Sequence, residues 1–94
     1  MYEKANIYNI TLAVANTERI QAITTNARKI FIRERTGLAL LKLAYTAGQS
    51  GTNYVTIPIG GSKAIDGVFL QGLTLYLQSP TAGVVVEIEE WVTK

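Results

Sequence analysis

Apolar and polar residues alternate along most of the chain, the period-two pattern of half-buried strands. Tyr8, Ile10, Leu12 and Val14 fall on one face of a first strand, with Asn9, Thr11 and Ala13 opposite. Asn16-Thr17-Glu18 turns the chain, and residues 19–24 give a short second strand. In a third strand over 28–35, Ile30 and Ile32 face one way and Lys29, Phe31, Arg33 and Arg35 the other, with Gly37 ending it. A fourth, over 38–46, sets Ala39, Leu41, Leu43 and Tyr45 inward, with Leu38 and Leu40 opposite. The stretch Ala47-Gly48-Gln49-Ser50-Gly51-Thr52-Asn53 is a hairpin loop by composition.

Residues 54–59 then place Val55, Ile57 and Ile59 inward. Pro58 lacks an amide donor, so it must lie at a sheet edge or a strand end. Gly60-Gly61-Ser62 is a turn, 62–66 is ambiguous, and 68–70 is a short strand between Gly67 and Gly72. Leu73, Leu75 and Leu77 face inward over 73–78, and Ser79-Pro80-Thr81-Ala82-Gly83 is a turn. The last strand, 84–92, carries Val84, Val86, Ile88 and Val92 on one face and Val85, Glu87, Glu89 and Trp91 on the other. A helix over 29–43 is opposed by Gly37 and by the β-branched alternation. About eight strands at this spacing predict an all-β fold: one domain over residues 1–94, an eight-stranded antiparallel β-sandwich of jelly-roll type. Leu12, Ile32, Leu41, Ile57, Leu75 and Val86 are its expected core.

Composition narrows the chemistry. With no His there is no Ser-His-Asp triad and no imidazole metal ligand; with no Cys there is no disulfide, thiolate nucleophile or zinc ribbon. The Gly pairs lack the Gly-Lys-Ser/Thr of a phosphate loop. No cofactor, metal or catalytic residue is expected. Glu87 and Glu89 stand about 6.5–7 Å apart along one strand face, a separation compatible with paired-carboxylate chemistry; a solvated or partner-facing strand face is the simpler reading, and the expectation is a chain that is not an enzyme. Arg28, Lys29, Arg33 and Arg35 with Phe31 form a basic stripe that could meet single-stranded nucleic acid. The formal net charge is only +2, so the stripe better fits the acidic face of Glu87 and Glu89, on a neighbouring strand or another subunit. No apolar run reaches the ~18 residues of a membrane span, and the first residues lack the basic head and apolar run of a signal peptide.

The apolar residues opposite the inward sets are more telling. Phe31, Leu38, Leu40, Tyr76, Val85 and Trp91 are too apolar as a group for free solvent. Arg33, Arg35, Glu87 and Glu89 lie beside them. All ten are expected to form a subunit interface in which apolar residues supply area and charges fix register.

Four segments resemble a group of small structural proteins of tailed bacteriophages: 9–18 (NITLAVANTE), 44–52 (AYTAGQSGT), 57–62 (IPIGGS) and 75–88 (LYLQSPTAGVVVEI). The 78–83 turn entering the last strand is the most specific part. The resemblance implies a virion component, a head decoration or cement protein or a tail-associated part, made in the host cytoplasm. It further implies a homo-oligomer, a trimer suiting threefold lattice points, with the major capsid protein or tail proteins as partners and no enzymatic activity. The alternative is a small jelly-roll module that binds carbohydrate or a receptor through Trp91, Tyr76 or Tyr54.

Overall fold

The structure is a computed structural model that describes residues 4–66 and 73–93. Its elements are strands throughout: β1 (Lys4–Leu12), β2 (Arg19–Ala22), β3 (Ala27–Glu34), β4 (Leu41–Ala44), β5 (Val55–Ile57), β6 (Ser62–Asp66), β7 (Thr74–Gln78) and β8 (Val84–Val92). The ambiguous stretch 62–66 is a strand; the strand expected over 68–70 lies outside the described residues. No helix of the described residues is long and apolar enough to cross a membrane.

Each strand pairs antiparallel with the one equally far from the middle of the chain: β1 with β8, β2 with β7, β3 with β6 and β4 with β5. The chain is thus one long hairpin rolled on itself. Rolling inserts β8 between β1 and β3, and β7 between β2 and β4. Two four-stranded sheets result, ordered β1-β8-β3-β6 and β2-β7-β4-β5. This is a jelly-roll-like β-sandwich, as the alternation predicts.

The sheets close on a core of aliphatic side chains. All six expected core residues are in it, none more than 1% exposed. Ile30, Leu43, Leu77, Val84 and Ile88 join them, completely buried. Gly83 enters β8 at φ 88°, a left-handed conformation that a side chain would strain, and its N–H donates to the Leu12 carbonyl at 2.8 Å. A register shift in β3 between Ala27 and Lys29 adds one residue against β8. Ala27 therefore faces the core although Lys29, two residues on, faces out.

Several inward assignments are corrected. Val55 and Ile59 are 41% and 60% exposed: β5 is a three-residue edge strand that stops before Pro58, so only Ile57 reaches the core. Val14 and Tyr45 continue the alternation past the ends of β1 and β4, and both are exposed. The fourth strand is only Leu41–Ala44, since 35–40 is a loop across one end of the sandwich.

Two carboxylates lie on inward faces with no exposed surface, Glu34 and Glu90. The Glu90 carboxylate accepts from Asn6 Nδ2 and Tyr8 Oη, both at 2.8 Å, from the Thr24 N–H at 3.1 Å and from the Thr24 hydroxyl. The Glu34 carboxylate accepts from the Thr36 N–H (2.9 Å), the Gly37 N–H (2.9 Å), the Gly60 N–H (2.8 Å) and the Thr36 hydroxyl. Burial pushes both carboxyl groups up. The hydrogen bonds, led by the Thr24 hydroxyl at Glu90 and the Thr36 hydroxyl at Glu34, more than offset it and hold both below the ordinary glutamate value.

A carboxyl group depressed on folding contributes stability that is complete above its unfolded value, about 4.3, and is lost as pH falls through the lower folded value. Urea midpoints are therefore expected to stay flat from about pH 7 to 5 and to fall below about 4. Glu90→Gln keeps the shape and should make that acid limb shallower, with Glu34 supplying part of what remains, at a cost of about 1–3 kcal/mol at neutral pH. In the apolar core, Leu75→Ala should cost about 2–5 kcal/mol in the same titration; an unchanged midpoint would contradict the register described above.

Candidate functional site: the outer face of the β1-β8-β3-β6 sheet

Pairing in this sheet sets its outward side chains in cross-strand rows. From β1 to β6 these read Ala5, Trp91, Lys29, Asp66; then Ile7, Glu89, Phe31, Ala64; then Asn9, Glu87, Arg33, Ser62. Thr11 and Val85 continue the pattern, and the Arg35 N–H donates to the Val85 carbonyl at 3.0 Å. Seven of the ten expected interface residues, Phe31, Arg33, Arg35, Val85, Glu87, Glu89 and Trp91, thus belong to two neighbouring strands and their continuation. The basic stripe of β3 does meet the acidic stripe of β8, within one subunit.

The remaining three are elsewhere. Leu38 is 55% exposed in the 35–40 loop, and Leu40 precedes β4 at the same end, its carbonyl accepting from Ser79 Oγ at 2.9 Å. Tyr76 pairs with Ile20 and Ala44 on the outer face of the other sheet. The sugar-binding set is split in the same way. Tyr54 stands under the Lys42 ammonium, 5.1 Å from its ring centre, and with Tyr76 it belongs to the β2-β7-β4-β5 side, away from Trp91.

Local contacts link the side chains of the outer face. The Trp91 indole N–H donates to Glu89 Oε1 at 2.8 Å, and the Lys29 ammonium sits 5.1 Å from the Phe31 ring centre. Arg35 Nη1 donates to Asn9 Oδ1 at 3.1 Å, and its Nε stands 4.0 Å from Glu87 Oε2. Lys29 Nζ is 3.9 Å from Asp66 Oδ2. These ion pairs are long and solvated, worth about 0–1 kcal/mol each, so they orient side chains more than they stabilise the fold. Two open depressions adjoin across Phe31 and Glu89. One, of about 290 Å³, is lined by Phe31, Arg33, Ser62, Glu87 and Glu89; the other, of about 270 Å³, by Lys29, Phe31, Glu89 and Trp91.

Both signs of charge are interleaved with aromatic rings here, which suits a polar surface that also offers apolar area. Among the described residues no group of three or more acidic side chains is placed to hold a metal ion. Glu34 and Glu90 are not singled out by sequence reasoning. The alternation carried the signal: each falls on the parity of its strand's buried residues.

No family model matches the chain, and the search of curated proteins found no relative. Solved structures do share its fold. A de novo designed double-stranded β-helix superposes with a TM-score of 0.56 at 9% identity, over 95% of this chain and 99% of that one. A 3,4-ketoisomerase from Helicobacter canadensis gives 0.55 at 12% identity, over 95% of this chain and 62% of the enzyme. The WlaRB TDP-quinovose 3,4-ketoisomerase from Campylobacter jejuni gives 0.51 at 13%, over 95% of this chain and 69% of the enzyme. The expectation that the chain is not an enzyme is thereby corrected: enzymes are built on this fold, and the lack of His and Cys excludes imidazole and thiolate chemistry alone. At these identities the likeness is one of fold, a jelly-roll-like module.

Proposed function

We propose that this chain is a structural component of a virus particle, of the tailed-phage kind, that docks on neighbouring capsid or tail subunits through the outer face of the β1-β8-β3-β6 sheet. The observation that carries this reading is the face itself. Phe31 and Trp91 flank Glu89 on adjacent strands, and Arg33 lies opposite Glu87. Aromatic anchors in a field of both charge signs match the makeup of a protein interface, in which rings supply area and charges select register. The segments resembling phage structural proteins support the same reading, and a particle protein made in the host cytoplasm follows from it. On a lattice, many modest contacts of this kind add through avidity.

A carbohydrate reading is favoured by one observation, the depression beside Trp91, where an aromatic ring meets the Glu89 carboxylate and the Lys29 ammonium. A glycan array with the isolated protein addresses it: specific sugar binding replaces the docking reading.

Co-sedimentation with particles assembled from the capsid or tail proteins encoded beside it tests docking directly. Wild-type chain should pellet at a fixed copy number. Trp91→Ala should weaken binding about 30-fold or more, the equivalent of a ~2 kcal/mol hot spot, with little change in thermal melting because Trp91 lies outside the core. Wild-type chain that stays in the supernatant overturns the reading.

A further inference from the structure

Among the described residues the sandwich has four edge strands, β1 and β6 in one sheet and β2 and β5 in the other. An edge exposes unpaired N–H and C=O groups that template further pairing, and proteins blunt such edges with brevity, charge or proline. Three of these edges are blunted. β5 has three residues and ends before Pro58, β2 has four and includes Arg19, and β6 carries Lys63 and Asp66.

β1 has none of these defences along its length. It runs nine residues in unbroken register with β8, contains neither Pro nor Gly, and has a single charge, Lys4, at its start. At its far end Arg19 Nη1 donates to the Thr11 carbonyl at 3.2 Å; among the described residues no strand pairs with its outer side. Asn6 and Tyr8 bond to buried Glu90, which holds the strand against the sandwich. At its middle sits Ile7, 64% exposed, the most exposed of the large apolar residues described.

We propose that β1 is a homodimerisation edge: two copies pair their β1 strands antiparallel about a twofold axis at Ile7, joining their four-stranded sheets into one continuous sheet. The charge pattern favours a second copy as the occupant. Pairing about residue 7 sets Ile7 against its own mate, Ala5 against Asn9, Asn6 against Tyr8 and Lys4 against Ile10. The two Lys4 side chains fall at opposite ends of the seam, so no like charges meet. The cross-strand Ile7 pair takes part of the exposed side chain out of water on both copies at once. Ile7 shares an outward row with Glu89 and Phe31, but the seam forms along the free backbone edge of β1, so the β8 and β3 side chains of the docking face stay open in the dimer.

The chain has no cysteine, so a single introduced one reports the seam. Directly opposed residues in an antiparallel pair have Cα atoms about 4.5–5.5 Å apart, inside the disulfide range of about 4.4–6.8 Å. Ile7→Cys should therefore form a disulfide-linked dimer under mild oxidation. In the same register the two copies of residue 9 are offset by four positions, ~13 Å, so Asn9→Cys should stay uncrosslinked. Ile20→Cys, at an equally exposed position on the other sheet, controls for random collision and should also stay single. Wild-type chain should sediment as a dimer at tens of micromolar, and Ile7→Lys should shift it to monomer with unchanged melting. Absence of the Ile7→Cys crosslink, an equal crosslink through Ile20→Cys or Asn9→Cys, or a wild-type monomer at high micromolar concentration overturns the proposal. Trp91→Ala in the particle-binding assay tests the docking face apart from these outcomes, because it leaves the β1 edge unchanged.

Discussion

Strand β8 is the element on which both the core and the outer face depend. It is paired along its length with β1 and with β3, so its register fixes theirs. Val84, Val86, Ile88, Glu90 and Val92 go inward and Val85, Glu87, Glu89 and Trp91 go outward. A slip of one residue would drive two carboxylates and an indole into the aliphatic core and expose Val86 and Ile88. The apolar pattern resists that slip, and Glu90 adds a second lock. Only in the observed register does its carboxylate reach Asn6, Tyr8 and Thr24 together.

The buried carboxylates perform a task that apolar residues could not. A sandwich made from one rolled hairpin brings together segments far apart in sequence, and their loop ends carry unpaired N–H groups. Glu34 gathers such groups from two turns, at Gly37 and at Gly60, on either side of a long stretch of chain. Glu90 ties the strand at one end of the sequence to the strand at the other through Asn6 and Tyr8. Neither relies on a buried cation. Neutral donors satisfy the charge, so no second ion has to be desolvated, the step that makes buried ion pairs costly. Among the described residues, no buried side-chain nitrogen or oxygen lacks a partner.

Much of this was legible in the sequence because a strand's two faces alternate strictly. The limits of β8 and the six core residues followed from parity and turn chemistry alone. Parity failed where strands ended early: Val14, Tyr45, Val55 and Ile59 keep the rhythm but lie beyond, or at the margin of, the paired backbone. It failed for Leu38, Leu40 and Tyr76 for another reason. Being opposite an inward set says which face of its own strand a residue takes, but not which sheet that strand joins. Tyr76 and Phe31 are both outward, yet β7 and β3 belong to different sheets. Rolling the hairpin separates them, and no local pattern records the roll. The exclusion of catalysis failed because composition speaks to particular chemistries and not to the fold's range.

The two outer faces of the sandwich are not equivalent, and a third carboxylate accounts for the difference. Glu18 accepts from the Gly48 N–H at 2.9 Å and from the Ser50 hydroxyl at 2.5 Å and N–H at 3.2 Å. The Ser50 hydroxyl bond leads in holding its carboxyl below the ordinary value. That grip folds the tip of the long hairpin back over the β2-β7-β4-β5 sheet, where Gln78 Nε2 donates to Ser50 Oγ at 2.8 Å and Ser50 loses all exposure. Gly51 packs so closely on the Gln78 amide that a side chain there would stand 3.1 Å from its nitrogen. Gln78, outward by register, is buried beneath this loop, and Ala44, outward too, is likewise buried. Among the described residues, the other sheet has no such cover over Trp91, Glu89, Phe31 and Arg33. The space between the sheets is filled by fully buried Ile30, Ile32, Leu41, Leu43, Leu75 and Leu77. The docking proposed above therefore rests on the surface of the sandwich, and the tip loop, by occupying one face, leaves the β1-β8-β3-β6 face as the one uncovered among the described residues.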